Sequence, residues 1–159
     1  MHSSRDKSVL HGTELSANDR LVGSLPGLDR KSYQHKHWAG YIDVETKGRL
    51  FYWLFEAWES PQSAPLVVWL NGGPGCSSMD GLFLENGPFR LDGNGGEGTK
   101  VIINQHAWAA AANVLYIDQP VGTGFSYTGS RIYPRNDGDV NRALLAFFDG
   151  FFSVHSELA

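Results

Sequence analysis

The sequence predicts an α/β fold: an N-terminal β-hairpin, central strands and one long C-terminal helix. Three observations predict it. Leu66 to Leu70 is a short apolar run rich in β-branched residues, read as a central strand buried on both faces, and it stops at Asn71-Gly72-Gly73-Pro74-Gly75. Ala39 to Val44 and Arg49 to Glu56 are aromatic and branched, separated by Glu45-Thr46-Lys47-Gly48, as in a hairpin with a glycine-assisted turn. Val140, Leu144, Phe147, Phe148, Phe151 and Phe152 recur at spacings of three and four, the period of one apolar helix face.

The 159 residues suffice for one domain with a real core, and 42% apolar with 19% charged residues is ordinary for a globular protein. A net charge of -4, with the thirteen Lys and Arg residues in no dense block, argues against a nucleic-acid partner. No uncharged apolar run approaches the ~18 residues of a membrane-spanning helix, so no membrane partner is expected. Nor does the N-terminus from Met1 to Leu10 show the apolar run of ~7–15 residues that marks a secretory signal.

In chain order, residues 1–18 are polar and aperiodic and are expected to be a disordered leader to a domain over residues 19–159. Pro26-Gly27 is a turn signal. Tyr41, Ile42 and the run from Leu50 to Phe55 supply apolar surface that reads as sheet core. Glu59 to Ala64 is a polar connector into the Leu66 strand. The glycine-rich corner after that strand suits backbone angles that residues with a Cβ avoid, and at the C-terminal end of a strand its N–H groups can face a substrate crevice and stabilise an oxyanion.

Ser77 to Glu85 reads as a short helical turn ended by Asn86-Gly87-Pro88, and Leu91 to Lys100, with four glycines, as an exposed loop. Val101 to Ile103 is a short extended segment. Val114 to Ile117 is a strand that ends at Asp118, placing a second loop at the same kind of edge as Asn71. Asn136-Asp137 is the N-cap candidate for a helix from about Gly138 to Leu158, which Gly150 weakens by about 1 kcal/mol relative to Ala.

Val68-Trp69-Leu70-Asn71-Gly72-Gly73-Pro74-Gly75-Cys76-Ser77-Ser78, then Gly81, Glu85 and Asn86-Gly87-Pro88-Phe89, resembles the signature of the serine carboxypeptidases, an α/β-hydrolase family. Asn104 to Trp108 and Tyr116 to Tyr127 resemble the next blocks in the same order. The resemblance runs from about Asp19 to the end and implies a partial α/β-hydrolase fold with an incomplete sheet. It implies a serine-type carboxypeptidase that releases C-terminal residues from peptides at acidic pH, in a vacuole or lysosome or outside the cell. Gly73 then gives a backbone N–H to the oxyanion, a donor whose loss costs about 3 kcal/mol. Asn71 binds the peptide's terminal carboxylate through its side-chain amide, beside the Gly72 N–H, and Trp69 frames this pocket. Glu85 matches an acid shared with that carboxylate; crowded carboxyl groups cannot all ionise cheaply, hence the acidic pH.

An α/β-hydrolase also needs a G-x-S-x-G elbow followed by Asp and His, and the 159 residues hold none. Gly124-Phe125-Ser126-Tyr127-Thr128 falls short of it, and neither Ser126, Ser77 nor Ser78 is read as a nucleophile. The chain is therefore expected to be the front part of such an enzyme, inactive alone, with the missing C-terminal portion as its partner. The alternatives are a binding-only relative and an acyltransferase of the same family. Cys76 reads either as a small buried core residue or, by the resemblance, as one half of a disulfide to a later cysteine. His35 and His37 share a strand face, but no further ligand completes a metal set, so neither metal nor cofactor is expected. His106 reads as structural, His155 is placed on the terminal helix, and no histidine is given a catalytic role.

Overall fold

The computed structural model describes residues 16–28, 31–44, 48–92 and 100–159. Its strands are β1 (His37–Val44), β2 (Gly48–Phe55), β3 (Leu66–Trp69), β4 (Phe89–Asp92), β5 (Lys100–Ile103), β6 (Asn113–Ile117) and β7 (Tyr127–Thr128). One long helix, α1 (Asp137–Val154), follows them. Of the expected leader, residues 1–15 lie outside the described residues, whereas Ala17–Arg20 forms a tight turn whose Ser16 N–H donates to Asp19 Oδ2 at 2.8 Å.

The predicted hairpin is present, with β1 antiparallel to β2 from His37 opposite Phe55 to Val44 opposite Gly48; its turn residues 45–47 lie outside the described residues. Strand periodicity sends its side chains to two faces. Ile42, Val44, Leu50, Tyr52 and Leu54 join Leu115 and Ile117 beneath Ala143, Phe147 and Phe151 of α1. On the opposite face Phe55, Val114 and Tyr116 pack with Met79, Leu82, Phe89 and three alanines, 107, 109 and 112. The sheet therefore carries a core on each side, which is the α/β layering the sequence predicts.

Among the described residues the sheet runs β1-β2-β6-β3, with β7 beside the start of β2. This order corrects the expected position of Leu66–Leu70. Among the described residues that run is the outer strand β3, paired on one side only, and Val68 and Leu70 are exposed. The buried central strand is β6, whose five residues are all covered because β2 and β3 flank it and both cores meet on it.

Two further boundaries move. Leu91, Asp92 and Lys100, expected in a loop, belong to strands β4 and β5, which pair with Phe89 opposite Ile103. The four glycines are bunched at 93–98, outside the described residues, so they leave the flanking residues free to extend. Helix α1 begins as expected, with Asn136 Oδ1 accepting from the Asp139 N–H at 3.0 Å, but it ends at Val154 rather than Leu158. His155 leaves helical geometry, and its buried ring bonds the Tyr52 hydroxyl at 2.8 Å through Nε2.

Candidate active-site corner

Strands β3 and β6 are parallel, with Trp69 opposite Tyr116, so Asn71 and Asp118 leave the sheet side by side at its carboxyl edge. The chain then turns through Gly73 at φ +64° and Gly75 at φ +104°, left-handed angles that glycine adopts without a Cβ penalty. Gly72, Gly73, Pro74, Gly75 and Cys76 are all exposed. The Cys76 N–H closes the turn onto the Gly73 carbonyl at 3.0 Å. Neither the Gly72 nor the Gly73 N–H meets an acceptor among the described residues. Two adjacent backbone donors thus stand free at a sheet edge, the arrangement an incoming carboxylate or oxyanion requires.

Asn71 is oriented by its neighbour. The Trp69 indole N–H donates to Asn71 Oδ1 at 2.6 Å. An indole N–H is a donor only, so the amide oxygen must face it and the Nδ2 group points the other way, available as a donor. The indole lies against Gly81, where an added Cβ would sit 2.1 Å from Trp69 Nε1, and meets Trp108 edge-on at 5.3 Å between ring centres. Gly81 opens a wide helical turn, Gly81–Glu85, closed by the Asn86 N–H on the Gly81 carbonyl at 3.0 Å. The expected short helical turn is thus present. Glu85 ends it exposed, with its carbonyl held by the Arg90 guanidinium and no hydrogen bond to Asn71 or Trp69. The corner thus brings Trp69, Asn71, Gly72 and Gly73 together, with Glu85 one turn beyond the residue that receives Trp69.

The corner is anchored by groups the sequence reading did not assign. Ser78 Oγ accepts the Asn71 N–H at 3.1 Å and donates to the Ile117 carbonyl at 2.5 Å. The Ser78 N–H and the Ser77 hydroxyl both donate to Asp118 Oδ1, at 2.8 and 2.7 Å. The other oxygen, Oδ2, accepts the Phe125 N–H at 2.9 Å. Asp118 is fully buried. The signal that could have found it is a polar Ser-Ser pair directly after the corner, together with an acid at the end of the parallel neighbour strand.

Ser126 is buried in a structural role: its hydroxyl donates to the Asp118 carbonyl at 2.5 Å and accepts the Phe51 N–H at 2.8 Å. Cys76, for which a buried core position was one reading, is an exposed free thiol, because the corner that carries it projects from the sheet edge. His37 is buried; its Nδ1 accepts the Trp53 indole N–H at 3.0 Å, and burial lowers its pKa to about 4. His35 stacks on Trp58 instead, with ring centres 5.5 Å apart. Among the described residues no three His, Cys, Asp or Glu side chains are placed to hold a metal ion, and no helix is long and apolar enough to cross a membrane. A hollow of about 360 Å³ between Val121, Tyr133 and Arg142 is lined by none of the corner residues.

The serine carboxypeptidase family profile matches residues 26–159. A pheromone-processing carboxypeptidase KEX1 of Phytophthora infestans is 43% identical over 150 residues, covering 93% of this chain and 24% of that protein. The lysosomal protective protein of Mus musculus is 39% identical over 144 residues, covering 91% of this chain and 30% of its own length. Among solved structures, the crystal structure of Kex1(delta)p, a prohormone-processing carboxypeptidase from Saccharomyces cerevisiae, superposes with a TM-score of 0.75 at 30% identity. That match covers 91% of this chain and 34% of the yeast chain. The chain thus spans 24% to 34% of the length of these relatives.

Proposed function

The chain belongs to the serine carboxypeptidase family and carries part of its α/β-hydrolase fold, and we propose that it supplies the substrate-end and oxyanion half of a serine-type carboxypeptidase site. In this reading the peptide's terminal carboxylate accepts from Asn71 Nδ2 and the Gly72 N–H. Glu85, one turn beyond the glycine that receives Trp69, stands as the further acid of this substrate-binding end, in a reaction proposed for acidic pH. A serine from polypeptide outside these 159 residues adds to the carbonyl carbon of the last peptide bond. As the serine proton passes to the triad histidine, the carbonyl oxygen becomes an oxyanion and accepts the Gly73 N–H; the C–N bond then breaks, the histidine protonates the leaving nitrogen, and water hydrolyses the acyl-serine to free the shortened peptide. The Ser, Asp and His of the triad belong to that further polypeptide, and a lysosomal or secretory compartment is the proposed setting.

The observation that carries the reading is the pair of unpartnered N–H groups at Gly72 and Gly73, beside an Asn71 amide whose oxygen is already held by Trp69. The test is binding of an N-blocked dipeptide at pH 5, as the free acid and as the C-terminal amide. The wild-type chain should bind the acid weakly and the amide at least tenfold more weakly, Asn71→Leu should abolish the difference, and no product should form. Equal binding of acid and amide would contradict the carboxylate site. Turnover by the 159-residue chain would contradict the assignment of the nucleophile elsewhere.

A further inference from the structure

We propose that Asp118 is the positioning residue of the oxyanion corner, the carboxylate that sets where the Gly72 and Gly73 N–H groups point by binding the corner and the loop after β6 at once. The eight residues from Asn71 to Ser78 are fastened at both ends, and both fastenings lead to the end of β6. At the start, the Asn71 N–H is held by Ser78 Oγ, which is bonded to the Ile117 carbonyl. At the finish, the Ser77 hydroxyl and the Ser78 N–H converge on Asp118 Oδ1. Between these points the chain passes through two left-handed glycines, whose wide conformational range defines no single direction for their amides. The direction is therefore imposed from the ends.

Oδ2 extends the clamp to the second loop. It accepts the Phe125 N–H, and at Gly124, φ +53°, an added Cβ would lie 2.1 Å from it, so the backbone there passes as close as only glycine permits. The Asp118 carbonyl accepts from Ser126 Oγ, which in turn holds the Phe51 N–H of β2. A carboxylate is acceptor-only and meets three donors here, so every donor converging on it finds an oxygen. Asparagine would turn an N–H₂ group onto one of those donors.

The consequence for catalysis rests on the proposed function, because it takes Gly73 as the oxyanion donor; the geometric claim does not. The test compares ¹⁵N–¹H spectra and acid-dipeptide binding of dilute wild-type chain with Asp118→Asn, Ser77→Ala and Phe147→Leu. The last variant loosens the core under α1 without touching the corner. Asp118→Asn and Ser77→Ala should shift the Gly72 and Gly73 resonances and weaken acid binding about tenfold, since small misplacement of donors is costly. Phe147→Leu should lower the melting temperature yet leave both readouts unchanged. Folded Asp118→Asn or Ser77→Ala protein with wild-type Gly72 and Gly73 resonances would overturn the proposal, as would equal shifts in Phe147→Leu. If Asp118→Asn does not fold, Ser77→Ala decides, since Ser78 still holds the carboxylate. If the wild-type chain fails to prefer the acid, the carboxylate site falls, and the resonances still judge Asp118.

Discussion

At the scale of single residues, the corner depends on donors being held in one orientation. Trp69→Phe keeps most of the ring against Gly81 and removes only the N–H that fixes Asn71 Oδ1. It should weaken acid-dipeptide binding about fivefold, roughly 1 kcal/mol, in a calorimetric titration, with little loss of stability; unchanged affinity would show that the amide needs no such anchor. The histidines set a pH dependence. Burial lowers the pKa of His37 to about 4 and also lowers that of His155, against an opposing contribution from Glu157. Both bind protons less readily when folded than when unfolded, so their contribution is complete above about pH 6.5 and is lost as pH falls, for His37 through about 4. The melting temperature should therefore drop between pH 6.5 and 4, and His37→Gln, which keeps an acceptor for Trp53, should flatten part of that drop. A variant that follows the wild-type curve would show that His37 does not titrate in that range. The sequence located the corner because glycine and proline announce unusual backbone, while the roles of Trp69, Asn71, Gly72, Gly73 and Glu85 came from the family resemblance alone. Sequence reading missed Asp118, whose role exists only once two strands distant in sequence are parallel neighbours.

Among the elements, those written in local periodicity were legible: the hairpin, the Val114–Ile117 strand and the capped helix all appear close to their expected bounds. Strands β4 and β5 were hidden by the glycines between them, since pairing across a gap leaves no local pattern. The helix also shows how packing overrides propensity. Gly150 was expected to weaken α1, yet a Cβ there would lie 2.6 Å from Ile42 Cγ2, on a β-branched side chain with little freedom to retreat. Gly150→Ala should therefore lower the melting temperature, with overpacking of about 1–3 kcal/mol exceeding the ~1 kcal/mol gain in helix propensity. A rise would mean that α1 can shift away from β1 at no cost.

At the scale of the whole molecule, the order of strands was the least legible feature. An apolar run bounded by turns reads alike at the centre or the edge of a sheet, and only the pairing of β6 with both β2 and β3 separates the two. The incomplete sheet that the resemblance implies leaves an open side at β3, with Val68 and Leu70 exposed, among the described residues. Such an edge promotes association, so the chain should sediment with concentration-dependent mass, and Val68→Lys should reduce it; a monomer at all concentrations would count against an open edge. The central claim is that the same sheet, at its carboxyl end, aims free amides at the end of a peptide. The most direct measurement is a ¹⁵N–¹H titration of the dilute chain with an N-blocked dipeptide at pH 5. The Gly72 backbone and Asn71 side-chain amide resonances should move with the free acid and stay still with the C-terminal amide. Movement with both ligands alike, or confined to residues remote from Asn71, would contradict it.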